Sequence, residues 1–242
     1  MHKQKHWIQA IVLILIVGII AVFACKNNTR TAKALDKNIT STKTVEQVDK
    51  ITEEDIYTFL QGPKSYASGL KWSGEWAEFL YRGNSFGGFG CGLCCLANVY
   101  DTLSPYQVTP LDAFYFAKKN SSYSPSKKVG AISWEALEES FTKCGIQAEL
   151  GTKPATIDAF RKELSNSKSA VVLVCSDNSD EYWEDTPGHY VNIWLYNEND
   201  HTVFLGDPGE PTHNRKTIVD HYVYDALKTV SEYQILYIRS YD

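Results

Sequence analysis

The sequence predicts an α+β fold, with helices first and antiparallel strands after. Two patterns carry that expectation. Between residues 91 and 164, apolar side chains recur at helical spacing behind capping residues. From residue 170 onward they gather in short β-branched runs separated by turn residues. The chain has 242 residues and is 43% hydrophobic, enough for one sizeable core. A net charge of −5 argues against nucleic acid as a partner.

The N-terminus predicts export. Met1 to His6 is a short basic flank, and Trp7 to Phe23 is apolar with Gln9 its only strongly polar side chain. Such a run is a signal peptide core or a short membrane anchor, and the basic flank stays in the cytoplasm. Val22-Phe23-Ala24-Cys25 loosely resembles a bacterial lipoprotein cleavage box, with Phe23 a departure from its small second residue. An uncleaved anchor, a lipidated Cys25 and a cleaved signal are three fates that all export the chain. Residues 26–50 are rich in Lys, Thr and Asn and read as a solvated linker. The organisation expected is a signal peptide or anchor over 1–25, a polar linker over 26–50 and one folded domain over 51–242.

Within that domain, Thr52-Glu53-Glu54-Asp55 before Ile56, Phe59 and Leu60 predicts a short capped helix. Gln61 to Gly90 reads as loop, with Trp72 and Trp76 packing it onto the core. Leu93, Leu96, Ala97 and Tyr100 then share one face of a helix. Thr109-Pro110 opens another, with Leu111, Phe114 and Ala117 behind it. Ser133 caps a third, which Gly145 ends, and Thr156 caps a fourth. Ala170 to Cys175 reads as a buried strand, His189 to Asn197 as a second, Thr202 to Leu205 as its hairpin partner, and Tyr233 to Ile238 as a last one.

The chemistry centres on Gly87-Gly88-Phe89-Gly90-Cys91-Gly92. A glycine-rich approach delivers Cys91 to the start of a helix. Unpaired backbone N–H groups and the positive end of the helix dipole converge there and favour a thiolate. Cys94 and Cys95 lie inside the apolar run and read as buried packing thiols.

The hairpin supplies partners. With its turn near residues 198–199, His189 and Asp207 fall beside each other within one residue of register. Neighbouring strands lie ~5 Å apart, so the Asp207 carboxylate reaches the His189 ring. A cysteine at a helix start and a histidine oriented by a carboxylate are the parts of nucleophilic thiol catalysis. His213 falls in a turn and reads as solvated.

Phe89-Gly90-Cys91-Gly92 before an apolar helix, then Pro187-Gly188-His189-Tyr190-Val191, then Leu205-Gly206-Asp207-Pro208, resembles the double-glycine-leader, or bacteriocin-processing, cysteine peptidases of the papain-like group. The resemblance spans roughly residues 60–240. It implies a papain-like fold, with the nucleophile on a helix packed against a C-terminal antiparallel sheet. It implies Cys91 as nucleophile, His189 as general base and acid, and Asp207 as the orienting carboxylate. It also implies an upstream glutamine whose N–H binds the oxyanion. Six residues before Cys91 this chain has Ser85 instead, with Asn84 beside it, and the upstream glutamine near the domain edge is Gln61. Gln61 and Asn84 are therefore the oxyanion candidates.

The expected function is an exported, membrane-tethered cysteine peptidase acting on a peptide or protein substrate, with no cofactor. A cell-wall peptide amidase using the same three residues is one alternative. A catalytically impaired surface module that binds peptides is another, motivated by the displaced glutamine. Cys91-Gly92-Leu93-Cys94 also matches C-x-x-C, but a thioredoxin-like site needs a strand just before it, and residues 83–90 are glycine-rich. Cys144 and Cys175 stand alone, so no zinc site is expected.

Overall fold

A computed structural model describes residues 51–242. The predicted anchor or signal segment, Cys25 and the 26–50 linker lie outside the described residues. Among the described residues, no helix is long and apolar enough to cross a membrane.

The first segment departs from expectation. The helix predicted from Thr52 stops after a single turn, Glu53–Asp55, although Thr52 and Asp55 form the capping box its sequence promises. Ile56 is already extended. The chain beyond it is claimed by other elements: Tyr57 N–H donates to Thr102 Oγ1, Phe59 N–H to Asn98 Oδ1 and Leu60 N–H to the Trp72 carbonyl. Satisfying a backbone N–H from a buried side chain replaces the helical bond it would otherwise need.

Short elements occupy the stretch expected to be loop. They are α1 (Pro63–Ala67), a 3-10 turn at Glu75–Glu78, a two-stranded hairpin of β1 (Leu80–Tyr81) and β2 (Asn84–Ser85), and α2 (Phe86–Phe89). Trp76 is buried, as predicted, and its Nε1 donates to the Leu60 carbonyl. Trp72 is half-buried and sits edge-on to Tyr57 and Phe59.

Four predicted helices form, the last three where their caps place them: α3 (Cys91–Leu103), α4 (Pro110–Asn120), α5 (Trp134–Lys143) and α6 (Ile157–Ser165). Thr109, Ser133 and Thr156 each accept the backbone N–H three residues on. Gly145, at φ +86°, lets the chain turn out of α5, a backbone angle open to glycine. All thirteen residues of α3 are buried, so this helix is the axis of the domain.

The strands are β3 (Ile146–Gly151), β4 (Ser169–Val174), β5 (His189–Asn197), β6 (Thr202–Gly206), β7 (Lys216–Val219) and β8 (Ile235–Tyr241), with α7 (Asp220–Ala226) between the last two. They make one antiparallel sheet in the order β3-β8-β4-β5-β6-β7. Helix α3 packs against β5, beside α4 and α5. On β5, Tyr190 lies against Gly92 of α3 and Asn192 bonds Asn98 of α3. Val191 and Ile193 alternate with them and join Phe160, Leu164, Val223 and Ala226 of α6 and α7 in a second core. Each large aliphatic side chain buried there contributes on the order of 1.5–3 kcal/mol. Helices thus cover both faces of the sheet. The sheet also takes β3 from the half expected to be mainly helical.

Candidate active site

Cys91 is the first residue of α3 and is 9% exposed. The helix end before it is less open than the glycine pattern predicts. Gly90 is in helical conformation, its N–H donates to the Phe86 carbonyl, and the α2 turn runs into α3. Gly92 has a separate reason to lack a side chain. A Cβ there would lie 2.6 Å from Ile132 Cγ2 and 3.2 Å from Tyr190 Cδ2, so glycine lets the start of α3 press against β5.

His189 is the first residue of β5, and Asp207 follows the last residue of β6. Ile193 faces Leu205 and Asn192 faces Gly206, so continuing the ladder would set Asp207 opposite Val191, two residues from His189. The offset begins at the turn, which is centred later than 198–199 because Asn197 faces Thr202; the irregularity between Trp194 and Asn197, where Leu195 takes φ 50°, takes back one residue of it. The side chains close the gap. His189 Nε2 lies 2.7 Å from Asp207 Oδ1. With Nε2 committed to Asp207, Nδ1 is the ring nitrogen left for Cys91, whose thiol the nearby His189 draws down. The structure therefore brings Cys91, His189 and Asp207 together, with His189 hydrogen-bonded to Asp207 and acting on the Cys91 thiol.

Asp207 is fully buried and held from several sides. Its Oδ1 also accepts the N–H groups of Gly209 and Glu210, at 2.9 and 3.1 Å. Its Oδ2 accepts Trp183 Nε1 at 3.0 Å. His213 Nδ1 stands 3.6 Å from Oδ2, beyond hydrogen-bond distance and within that of an ion pair. The sequence reading places His213 in solvent. It is half-buried instead, with its ring centroid 4.4 Å from that of Tyr182. The sequence shows neither Trp183 nor His213 beside Asp207, because loop numbering does not show which loops meet. The one available signal was a Tyr-Trp pair inside an otherwise acidic loop.

The electrostatics follow from this packing. Burial pushes the Cys91 thiol up. The hydrogen bond and charge of His189 outweigh it, helped by the backbones of Tyr190 and Gly92, and the thiol falls below its ordinary value. Burial pulls His189 down. The charge and hydrogen bond of Asp207, together with Cys91, raise it to about 10. Burial would raise Asp207, but the imidazolium and the surrounding donors hold it well below the carboxylate range. These directions favour the thiolate and the imidazolium, with one carboxylate supporting the imidazolium. Cys94 and Cys95 are fully buried, and burial holds both thiols well above the ordinary value.

The two oxyanion candidates separate. Gln61 is buried, its Nε2 donates to the Gly87 carbonyl at 2.7 Å, and its backbone N–H donates to the Pro208 carbonyl. It thus links the approach to Cys91 with the residue after Asp207. Its Oε1 is buried with no hydrogen-bond partner. The Asn84 amide donates to the Ser126 and Lys127 carbonyls and ties β2 to that loop. No grouping of His, Cys, Asp and Glu among the described residues could hold a metal ion.

A cleft of about 580 Å³ opens beside His189 and Asp207. The segment before β5 and the segment after β6 form its walls, and Cys91 does not line it.

No protein-family model matches this chain. No curated protein matches it either. Among solved structures, the chain is similar to the peptidase domain of Streptococcus ComA, a bi-functional ABC transporter involved in a quorum sensing pathway. The similarity covers 62% of this chain and 91% of that one, at 12% sequence identity and a TM-score of 0.44.

Proposed function

We propose that this chain is a cysteine peptidase that hydrolyses a peptide bond through Cys91, His189 and Asp207. The observation behind this reading is the buried Asp207 carboxylate 2.7 Å from His189 Nε2, beside a Cys91 at the start of α3 whose thiol His189 lowers. The Cys91 thiolate attacks the carbonyl carbon of the scissile amide. The C–N bond breaks as His189 gives its proton to the leaving amine, and a thioester remains on Cys91. A water then loses a proton to His189 and adds to the thioester. The acid leaves, and Cys91 and His189 return to their starting state. Asp207 keeps the ring oriented and stabilises its charged form throughout.

Gln61 is the better oxyanion donor of the two candidates. Its amide nitrogen makes one hydrogen bond, to Gly87 on the approach to Cys91, and keeps a second N–H, whereas the Asn84 amide donates to two carbonyls, of Ser126 and Lys127. Export and membrane tethering belong to this reading through the apolar run Trp7 to Phe23.

The test is hydrolysis by the full chain and its Cys91→Ala variant on two substrate sets: internally quenched peptides and purified cell-wall peptides. Loss of cleavage by about 10³-fold or more in the variant is expected. Equal cleavage by both proteins rules the mechanism out. Cleavage confined to wall peptides makes the chain an amidase with the same machinery.

A further inference from the structure

We infer that the cleft beside His189 is the subsite for the leaving-group side of the substrate, and that it takes a positively charged residue there. This inference rests on the peptidase reading. In that reaction the leaving amine receives its proton from His189, so the peptide beyond the scissile bond must pass over the imidazole. The cleft lies on that side: His189 and Asp207 line it and Cys91 does not. A volume of about 580 Å³ accommodates more than one side chain.

The lining sets the charge. Glu184 and Asp185 stand on one wall and Glu210 on the other, all three exposed, and no Lys or Arg lines the cleft. Lys228, the lysine closest to the Gly188 backbone, is held on the Pro187 carbonyl. Asp207 is at the floor, but His189 and its other donors already satisfy it. Hydrogen bonds from Thr212 hold the Glu210 carboxyl below its ordinary value, so it carries its charge at neutral pH. Tyr182 adds an aromatic ring to the lining, tilted against His213 and Tyr222. Carboxylates around an aromatic face suit an ammonium or guanidinium group and repel a carboxylate. The same loop also carries Asp177, Asp180 and Glu181, all exposed, which add to the negative charge of the 177–186 segment.

The experiment uses the full chain and internally quenched peptides identical up to the scissile bond, with Lys, Ala or Glu at the two positions after it. Lys is expected to exceed Glu in kcat/KM by about tenfold, an excess that shrinks at high salt. In the variant carrying Glu184→Gln, Asp185→Asn and Glu210→Gln, the ratio is expected to approach one. These substitutions keep shape and remove charge, so a ratio is read rather than an absolute rate. Cleavage indifferent to charge, or a ratio unmoved by the variant, overturns the subsite and leaves the peptidase standing. Absence of Cys91-dependent cleavage on every peptide overturns the peptidase reading itself.

Discussion

Asn98, two turns into the helix that begins with Cys91, donates from Nδ2 to Oδ1 of Asn192, three residues beyond His189 on β5, at 3.0 Å. Both residues are fully buried. Asn98 Oδ1 also accepts the Phe59 N–H at 2.7 Å. One amide therefore ties the Cys91 helix, the His189 strand and the extended 56–61 segment together. Asn98→Leu leaves the Phe59 donor and the Asn192 amide unsatisfied, at an expected cost of about 1–3 kcal/mol in denaturant unfolding. Adding Asn192→Leu is expected to recover part of that loss, because the second orphaned group is removed. A double-mutant cycle with no coupling would refute the link.

Trp183→Phe keeps an aromatic ring at this buried position but removes the Nε1 donor to Asp207 Oδ2 with the rest of the indole. The carboxylate oxygen is buried and left with His213 beyond hydrogen-bond distance. Hydrolytic kcat is expected to fall about tenfold, since one lost hydrogen bond to a charged group is worth roughly 1.5–3 kcal/mol. Unchanged kinetics would mean that Trp183 only fills space.

Gly209→Ala is expected to act on the imidazole alone. A Cβ at this position would lie 2.8 Å from His189 Cε1 and 2.9 Å from Nε2. The ring must move to admit it, and a displacement of this kind costs about 10²-fold in kcat. The melting temperature should change little, because the position lies on an exposed loop. Activity equal to wild type would contradict the observed approach.

Much of this was legible in the sequence, and the gaps have physical reasons. Caps at Thr109, Ser133 and Thr156 located three helices because each satisfies its own end through a side-chain bond. The β-branched run Val171-Val172-Leu173-Val174 located β4. Strand β3 was missed although Ile146, Ala148 and Leu150 alternate with Gln147 and Glu149, because it is short and directly follows a helix. Edge strand β7 buries only Ile218 and so leaves almost no apolar signal. Helix α7, Asp220–Ala226, was hidden in an aromatic run without a capping side chain. The helix expected from Thr52 failed for a tertiary reason, since Asn98 and Thr102 take its backbone donors. At the site, hairpin counting paired His189 with Asp207 despite an offset register, because carboxylate and imidazole span the difference. Nothing local could announce Trp183, His213 or Gly209, which reach Asp207 and His189 only once the loops fold together.

The pH dependence of stability has a definite sign on each side of neutrality. Asp207 is lowered in the folded chain, so its contribution is present above about 3.8, its ordinary value, and is lost as pH falls below it. His189 is raised from 6.5 to about 10, so its contribution is full below 6.5 and is lost as pH rises toward 10. Both windows describe one ion pair. Melting temperature is therefore expected to decline on both sides in wild type, and Asp207→Asn should flatten both limbs. A variant that keeps the wild-type profile would place the pH dependence elsewhere.

The state of the Cys91 sulfur tests the central claim most directly. The measurement is the rate at which iodoacetamide modifies Cys91 at mildly acidic pH, located by peptide mapping, in wild type and in Asp207→Asn. Cys91 is expected to react well below the pH where a free thiol does, while Cys94 and Cys95 stay unmodified, and the variant should react at least tenfold more slowly. A Cys91 that reacts no faster than a free thiol, at the same rate in both proteins, would show that His189 and Asp207 do not activate it.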